Sequence, residues 1–309
     1  MSTVATPASV PRRRRRTKLQ RRQTRIAWIL LIPSLAVVAF VALFPLGRTI
    51  YQSFTNQEFL AGLEPTRWVG LQNYRDLWHD SIFRDSVVTT VKFTAITVSF
   101  EFVLGLIIAL VVNSNFKGRG LMRAVMLVPW AIPTVVAAQM WKWMYDDVFG
   151  VINDASVRRL HLLHHSVAWI SQPSTALGAV SAVDIWKTTP FVALLLLAGL
   201  QVIPNELYEA ACVDGASPLQ QFWRITLPLL RPAILVALIF RTLDALRVFD
   251  VFNVFFGNRA STQTMAIYDQ NTIVGVGDVG YGSAISVGIF IIIGLFVIIY
   301  TTVMRVEEE

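Results

Sequence analysis

Charged side chains interrupt two of the long apolar segments of this sequence at intervals of three residues. The first segment holds Asp184 and Lys187, and the second holds Arg241, Asp244, Arg247 and Asp250. Charges inside a bilayer are costly and usually face a cavity or a partner. A spacing of three places neighbouring opposite charges on adjacent turns of one helix. Such groups can hold a hydroxyl-rich solute with fixed donors and acceptors, or they can pair with one another.

The two groups of charges are expected to lie at the same depth of the membrane. At a rise of about 1.5 Å per helical residue, Lys187 lies roughly 23 Å from one end of its segment. On the same scale, Arg241 and Asp244 lie roughly 18 and 22 Å from the same side. Asp184, Lys187, Arg241 and Asp244 together carry no formal charge. This balance favours a pathway for a neutral polyol over one for an ion.

The sequence allows two roles for these polar residues. Those predicted to contact the solute are Asp184, Lys187, Thr188, Arg241, Asp244 and Arg247. Trp186 and Phe191 are nearby aromatic rings on which a polyol ring could stack. The alternative is that the paired charges only hold two helices together and touch no solute. The sequence favours neither role over the other.

Long apolar runs must position these charges. The chain has 309 residues, of which 54% are hydrophobic and 15% charged, whereas about a quarter are charged in a soluble domain. A bilayer crossing needs about 20 apolar residues. Runs of sufficient length occur at 26–51, 87–112, 121–145, 176–203, 229–256 and 283–304. They lack the alternation of barrel strands, so the sequence predicts an all-α polytopic membrane protein with six transmembrane helices.

Basic residues set the expected orientation of these helices. Nine of the 27 Lys and Arg residues lie within residues 12–25, ahead of the first run. With a cytoplasmic N-terminus, the cytoplasmic segments hold 15 of the 27 and the outer segments hold 6. This excess predicts a multi-pass protein of the plasma (inner) membrane with both termini in the cytoplasm.

The chain is expected to have two parts. Residues 1–25 are predicted to form a basic cytoplasmic tail without fixed structure, and residues 26–305 a transmembrane domain. The first apolar run is longer than the core of a signal peptide, so it is expected to be retained. A basic tail beside long apolar runs argues against binding to nucleic acid.

The loop between the fourth and fifth runs, residues 204–228, is built like a small folded unit, which we call the elbow. Asn205 is expected to cap a helix of two turns that ends at Gly215, where glycine supplies the left-handed conformation. Ser217 and Gln220 have the spacing of a capping box that starts a second helix. We therefore predict two short helices joined by a glycine turn on the cytoplasmic side.

The elbow resembles the cytoplasmic signature of permease subunits of ABC importers, which reads E-A-A, three residues, G, nine residues, I-x-L-P. The matching positions, with the acidic residue of the carbohydrate branch, are Glu209, Ala210, Ala211, Asp214, Gly215, Ile225, Leu227 and Pro228. Residues 186–191, 241–250 and 281–287 are similar to permeases of trehalose importers. The resemblance implies a type I, maltose-permease-like fold in which the elbow docks into an ATPase subunit. The alternative is a tether that docks on nothing.

The resemblance further implies a binding-protein-dependent sugar importer, with a disaccharide such as trehalose as substrate. The implied partners are a second homologous permease, two copies of a cytoplasmic ATPase, an extracytoplasmic sugar-binding protein and the lipid bilayer. ATP and Mg would be bound by the ATPase, because this sequence has no G-x-x-x-x-G-K-[ST] loop. No catalytic residue, cofactor or metal site is predicted for this chain. The alternative function is a self-sufficient secondary transporter or channel.

Overall fold

The computed structural model describes residues 18–59, 65–162 and 164–303, and helices supply the regular structure of these residues. The helices are α1 (Lys18–Gln52), α2 (Gln72–His79), α3 (Ser81–Asn113), α4 (Arg119–Met126), α5 (Val128–Ala131), α6 (Thr134–Met144), α7 (Val151–Asn153), α8 (Pro173–Leu200), α9 (Asn205–Val213), α10 (Pro218–Gln221), α11 (Leu227–Leu246), α12 (Asp250–Phe256), α13 (Met265–Gln270) and α14 (Val279–Val303). Short π-helical turns follow α7, α10 and α13. The chain divides after Tyr51 into two units, the first containing α1 and the second everything from Gln52 onward.

Five helical segments of the described residues are long and apolar enough to cross a bilayer. They are Arg22–Gln52, Ser81–Asn113, Pro173–Leu200, Pro218–Phe256 and Val279–Thr302. A sixth span is obtained when the bent pair Arg119–Ala131 and Thr134–Met144 is counted as one. The predicted all-α membrane fold is therefore confirmed, with one of its six spans broken.

The third predicted span, 121–145, is not a continuous helix. Its two halves meet at an angle of 86°. Ile132 has an extended backbone, with ψ 131°, because the ring of Pro133 disfavours a helical conformation in the residue before it. Helix α6 then starts directly after Pro133. The break lies at a proline, as kinks in helices usually do.

The fifth predicted span, 229–256, is interrupted before its end. Helix α11 stops at Leu246 and α12 begins at Asp250, so Arg247 and Asp250 do not lie on adjacent turns of one helix as predicted. Val248 and the following residue pack against the buried cluster around Phe252. The hydroxyl of Thr264 donates to the carbonyl of Val248 at 3.0 Å. This packing and this bond stabilise the break.

The N-terminal boundary also differs from the prediction. Helix α1 begins at Lys18, so the last eight residues of the predicted unstructured tail, 18–25, are helical. Residues 1–17 lie outside the described part of the chain. The lack of fixed structure expected for residues 1–17 therefore stays a prediction.

Three helices, α3, α8 and α11, pack together to form the core of the second unit. A Cβ atom at Gly105 of α3 would lie 2.9 Å from Val192 of α8, and one at Gly199 of α8 would overlap Ala233 of α11. Small residues allow helices in a membrane to approach closely. These two glycines therefore bring the polar faces of the three helices together.

Hydrogen bonds to Asp80 join the start of α3 to α13 and α14. One carboxylate oxygen of Asp80 accepts from the backbone N–H groups that start α3, and the other accepts from the hydroxyls of Tyr268 and Tyr281. Burial alone would raise the pKa of the Asp80 carboxyl, but these donors together hold the pKa below its usual value. Asp80 thus fixes the start of α3 against the C-terminal helices.

Candidate functional site

Arg241 is the centre of a group of charges, which we call the charge cluster. Its buried members are Glu101, Asp184, Lys187 and Arg241, and its exposed member is Asp244. The Arg241 guanidinium contacts both carboxylate oxygens of Glu101, with Nη2 at 3.0 Å from Oε1. Nη2 also donates to Asp184, and Nη1 donates to Asp244 at 2.9 Å. Arg241 is 2% exposed and Glu101 is 0% exposed. The guanidinium is therefore held by carboxylates from three helices.

Glu101 is the member of the charge cluster that the sequence prediction missed. It is the only charged residue of the second predicted span beyond Lys92, and a lone acid deep in an apolar run is itself a sign of function. It was missed because its partner Arg241 is 140 positions away. The depth estimate that paired the fourth and fifth spans did not extend to the second.

Thr188 and Lys187 also lie beside these carboxylates. The Thr188 hydroxyl is 2.5 Å from Glu101 Oε1 and 2.6 Å from the carbonyl oxygen of Asp184. Lys187 is buried on α8, one turn after Asp184. The helix therefore presents Asp184, Lys187 and Thr188 to the same polar region.

A cavity of about 330 Å³ opens beside the charge cluster, and we call it the first cavity. Its lining residues are Trp130, Thr134, Asp184, Lys187, Thr188, Arg241, Asp244, Arg247, Val248, Phe249, Asp250 and Val251. All six residues predicted to contact a solute are among them. The lining has three carboxylates and three basic side chains, so its formal charge is zero. Its volume is at the lower end of the range for small-molecule sites, about 300–1,000 Å³.

Trp130 and Phe249 are the aromatic residues that line the first cavity, and Trp130 is the larger of the two. Trp130 stacks on Phe191, with ring centroids 5.9 Å apart, so that Phe191 lies behind it. Trp186 contacts the ring of Trp141 and is not part of the lining. The sequence analysis proposed Trp186 and Phe191 as the rings on which a polyol could stack, whereas the structure places Trp130 in the lining of the first cavity. Trp130 reaches this position because it lies in the short helix α5, next to the break of the third span.

The elbow has the two-helix shape that the sequence predicted. Helix α9 ends in a left-handed glycine, Gly215, with φ +78°. In the capping box, the backbone N–H of Ser217 donates to Gln220 Oε1 at 2.8 Å, and the N–H of Gln220 donates to Ser217 Oγ at 3.4 Å. The predicted cap by Asn205 is wrong: Pro204 occupies the cap position and Asn205 is the first helical residue. Pro204 has an extended backbone and offers no side-chain acceptor.

The signature residues of the elbow divide into an outward and an inward group. Glu209, Ala210, Asp214 and Gly215 are exposed, Ala211 is half-buried, and the adjacent Val213 is 89% exposed. The inward group is half-buried and comprises Ile225, Leu227 and Pro228. Ile225 and Leu227 pack against the buried cluster between α3, α8 and α11. One end of the signature thus faces outward while the other is anchored in the helix core.

A hydrogen bond ties helix α9 of the elbow to the π-helical turn that precedes α11. The hydroxyls of Tyr208, on α9, and Thr226, at the start of α11, are 2.9 Å apart. Gln221 donates to the carbonyl of Ala216 at 3.0 Å. From Ser217 the chain continues through α10 and a π-helical turn directly into α11. A displacement of the elbow would therefore act on the helix that carries Arg241.

The comparisons with known proteins agree with this geometry. Residues 101–306 match the family described as the binding-protein-dependent transport system inner membrane component. The chain belongs to this family. The match covers both the charge cluster and the elbow, so both are parts of an inner membrane component of such a transport system.

Three relatives illustrate the similarity of this inner membrane component to characterised permeases. It is 41% identical to the trehalose/maltose transport system permease protein MalF of Thermococcus litoralis, covering 95% of this chain and 98% of that protein. It is 38% identical to the sulfoquinovosyl glycerol transport system permease protein SmoG of Agrobacterium fabrum, covering 92% and 91%. It is also 38% identical to the trehalose transport system permease protein SugA of Mycobacterium tuberculosis, covering 89% and 87%.

Solved structures show the same fold for this inner membrane component. A chain of a bacterial ABC transporter that imports the acidic polysaccharide alginate superposes with a TM-score of 0.78, at 21% identity, covering 95% of this chain and all of that one. A chain from the alginate transporter bound to an alginate-loaded periplasmic protein gives 0.76, at 20% identity, covering 92% and 95%. The fold is that of an ABC importer permease.

Proposed function

We propose that this chain is the permease subunit of an ATP-driven importer that takes up a neutral disaccharide such as trehalose. The observation that carries the proposal is the elbow: a complete permease signature, exposed at Glu209 and Gly215 and anchored at Leu227. Two of the relatives are trehalose or trehalose/maltose permeases, which supports the choice of sugar.

In the proposed complex, the elbow lies in the cytoplasm and docks on an ATPase subunit. Its exposed apolar side chains, among them Val213 and Leu219 at 89% and 67%, are suited to a cleft on that partner. The ATPase binds ATP and Mg, and two copies serve two homologous permeases. A binding protein delivers the sugar from the outer side, and both termini of this chain lie inside the cell.

The first cavity is the proposed sugar site. Donors and acceptors from Lys187, Thr188 and Asp244 line it without net charge, and Trp130 offers a ring face. This combination suits a ligand with many hydroxyl groups and no charge. Glu101 accepts hydrogen bonds from the Arg241 guanidinium but does not itself line the first cavity. Closure of the ATPases would move the elbow, and through α11 it would change the access to this cavity.

The role of the elbow is tested with Glu209→Ala in the complex of both permeases, ATPase and binding protein. We expect the complex to insert normally and the stimulation of ATP hydrolysis by sugar-loaded binding protein to be lost. Glu206→Ala is the matched control, because Glu206 is an exposed acid on the same helix outside the signature. Normal stimulation in both variants would contradict the proposed coupling.

The role of the first cavity is tested with Asp244→Asn in proteoliposomes. The substitution keeps the size of the side chain and removes an acceptor from the lining. We expect trehalose uptake to fall at least tenfold with the complex intact, the lower bound for loss of a hydrogen bond to a substrate hydroxyl. Unchanged uptake would assign the charges a purely structural role. Uptake by this chain alone would favour a secondary transporter.

A further inference from the structure

A second cavity lies between α11, α13 and α14, on the other side of Arg247 from the first. Its volume is about 480 Å³, larger than the first cavity. The lining consists of Leu243, Arg247, Ala266, Asp269, Gln270, Ser286, Ile289, Phe290 and Ile293. Arg247 lines both cavities. The two spaces therefore adjoin at one side chain.

Asp269 is the polar group of the second cavity that the fold does not explain. Its Oδ2 accepts from the Ser286 hydroxyl at 2.7 Å. Its Oδ1 is buried and has no hydrogen-bond partner among the residues that the structure describes. A buried carboxylate oxygen without a donor is costly. A residue that lines the second cavity thus carries a buried acceptor without a donor.

The remaining lining is apolar with donors and acceptors at one end. Phe290 is 60% exposed and presents a ring, with aliphatic neighbours on α14. Gln270 and Arg247 add an amide and a guanidinium beside the carboxylate. An aromatic or aliphatic wall with a few fixed polar groups is the usual composition of a small-molecule site. A sugar ring fits it, because such a ring has an apolar C–H face and a rim of hydroxyls.

We propose that the second cavity is a further subsite of the solute pathway, which binds one ring of a disaccharide through Asp269 and Phe290 while the other ring occupies the first cavity. The proposal rests on the proposed function, since it assigns the same sugar to an adjoining site. It explains why Arg247 lines both spaces, because its guanidinium can then donate to hydroxyls on either side of the glycosidic bond.

The test measures sugar moved per ATP hydrolysed, in proteoliposomes containing the assembled complex and saturating binding protein. Trehalose and maltose are the probes. The variants are Asp269→Asn, which removes the charge of the acceptor, and Phe290→Leu, which removes the ring. Asp85→Asn is the control, because Asp85 is an exposed acid of α3 outside both cavities. A subsite variant lets ATP be hydrolysed without transfer of the sugar, whereas a variant that only weakens the fold lowers both rates together.

We expect Asp269→Asn to lower the sugar-to-ATP ratio about tenfold, the scale by which a hydrogen bond to a charged group exceeds one to a neutral group. Phe290→Leu should lower the ratio as well, because the sugar ring loses its stacking partner. The control should retain the wild-type ratio. An unchanged ratio in both variants would refute the subsite and leave the proposed function standing. Loss of the second permease from purified Asp269→Asn, with a normal ratio in Phe290→Leu, would mean that a partner side chain occupies the cavity, and would also refute the subsite. If the wild-type complex moves neither sugar, the proposed function itself fails.

Discussion

The elbow and the charge cluster satisfy their polar groups in opposite ways. In the charge cluster, Arg241 is surrounded by carboxylates of its own chain and is almost completely buried. In the elbow, Glu209 and Asp214 form no ion pair within the described residues and stand beside exposed apolar side chains. The cluster is therefore complete within one subunit, whereas the elbow is suited to completion by another protein.

This difference predicts where stability and function should separate. A substitution in the charge cluster leaves a buried charge without its partner, which costs stability before any transport step is affected. A substitution at Glu209 or Asp214 leaves the fold nearly unchanged, because both side chains are exposed and form no ion pair within the described residues. Function should then be lost without loss of the folded protein.

The largest effect is expected for Arg241→Gln. The substitution leaves the carboxylates of Glu101 and Asp184 without the guanidinium, and breaking a buried ion pair costs about 3–5 kcal/mol. We expect a large drop in the midpoint temperature of unfolding of the purified protein in detergent. Adding Glu101→Gln should recover part of the loss, because one buried charge is then removed. A double variant that is less stable than Arg241→Gln would contradict this account of the cluster.

The elbow was predictable from sequence because its parts are neighbours in the chain. Gly215, Ser217 and Gln220 act through bonds that span a few residues, and the structure has those bonds. The error at Asn205 arose because the preceding proline, with its extended backbone, already occupies the cap position. Local patterns fix local geometry, and a single misplaced residue does not change the outcome.

Only part of the charge cluster could be predicted from the sequence, because the carboxylates that bind Arg241 come from three separate helices. The pairing of Asp184 with Arg241 followed from equal depth in the membrane, but Glu101 needed the packing of α3 on α8. The aromatic surface was missed for a similar reason: the direction of Trp130 depends on the 86° break of the third span. Pro133 lies at this break, but a proline in a sequence gives neither the angle of a kink nor the ring that the kink exposes.

Asp269 is an intermediate case: one carboxylate oxygen accepts a hydrogen bond from Ser286, and the other is buried without a partner among the described residues. Burial raises the pKa of its carboxyl from 3.8 to about 6, against the opposing effect of the Ser286 hydroxyl. At a pH between these two pKa values, the Asp269 carboxyl is protonated in the folded protein but has lost its proton in the unfolded chain. The free energy of unfolding therefore falls as the pH rises from about 4 to 6. Above pH 6 the charged group lowers stability by an almost constant amount.

We therefore expect Asp269→Asn to raise the free energy of unfolding at pH 7.5 by up to about 2–3 kcal/mol, the amount that corresponds to a pKa shift of this size. The unfolding temperature should rise accordingly. The gain should shrink as the pH falls through 6 and disappear near pH 4. Arg247 is the other charged residue of the lining. Thermal unfolding of both proteins at several pH values measures the gain, and a gain independent of pH would contradict the assignment to this carboxyl.

A smaller effect on stability is expected for Gly215→Ala, which tests the elbow directly. The left-handed backbone costs a residue with a Cβ about 1–2 kcal/mol, and the added Cβ meets no atom within 4 Å. Gly70→Ala is the matched control, since Gly70 also has a positive φ, +62°, and open space around it. Both variants should lose similar stability, but only Gly215→Ala should lower the sugar-stimulated ATPase rate of the complex. Equal loss of that rate in both would remove the distinction between the two regions.

The smallest effect is expected for Ser217→Ala, which removes half of the capping box. The N–H of Gln220 loses its acceptor, at a cost of about 0.5–1 kcal/mol for a cap exposed to water. Because α10 continues through a π-helical turn into α11, fraying at Ser217 should weaken the mechanical link before it weakens the fold. Ser217→Asp keeps an acceptor and should behave like the wild type. We expect coupling in Ser217→Ala to fall more steeply with temperature than in Ser217→Asp, and identical temperature profiles would show that the cap has no part in transmitting motion to Arg241.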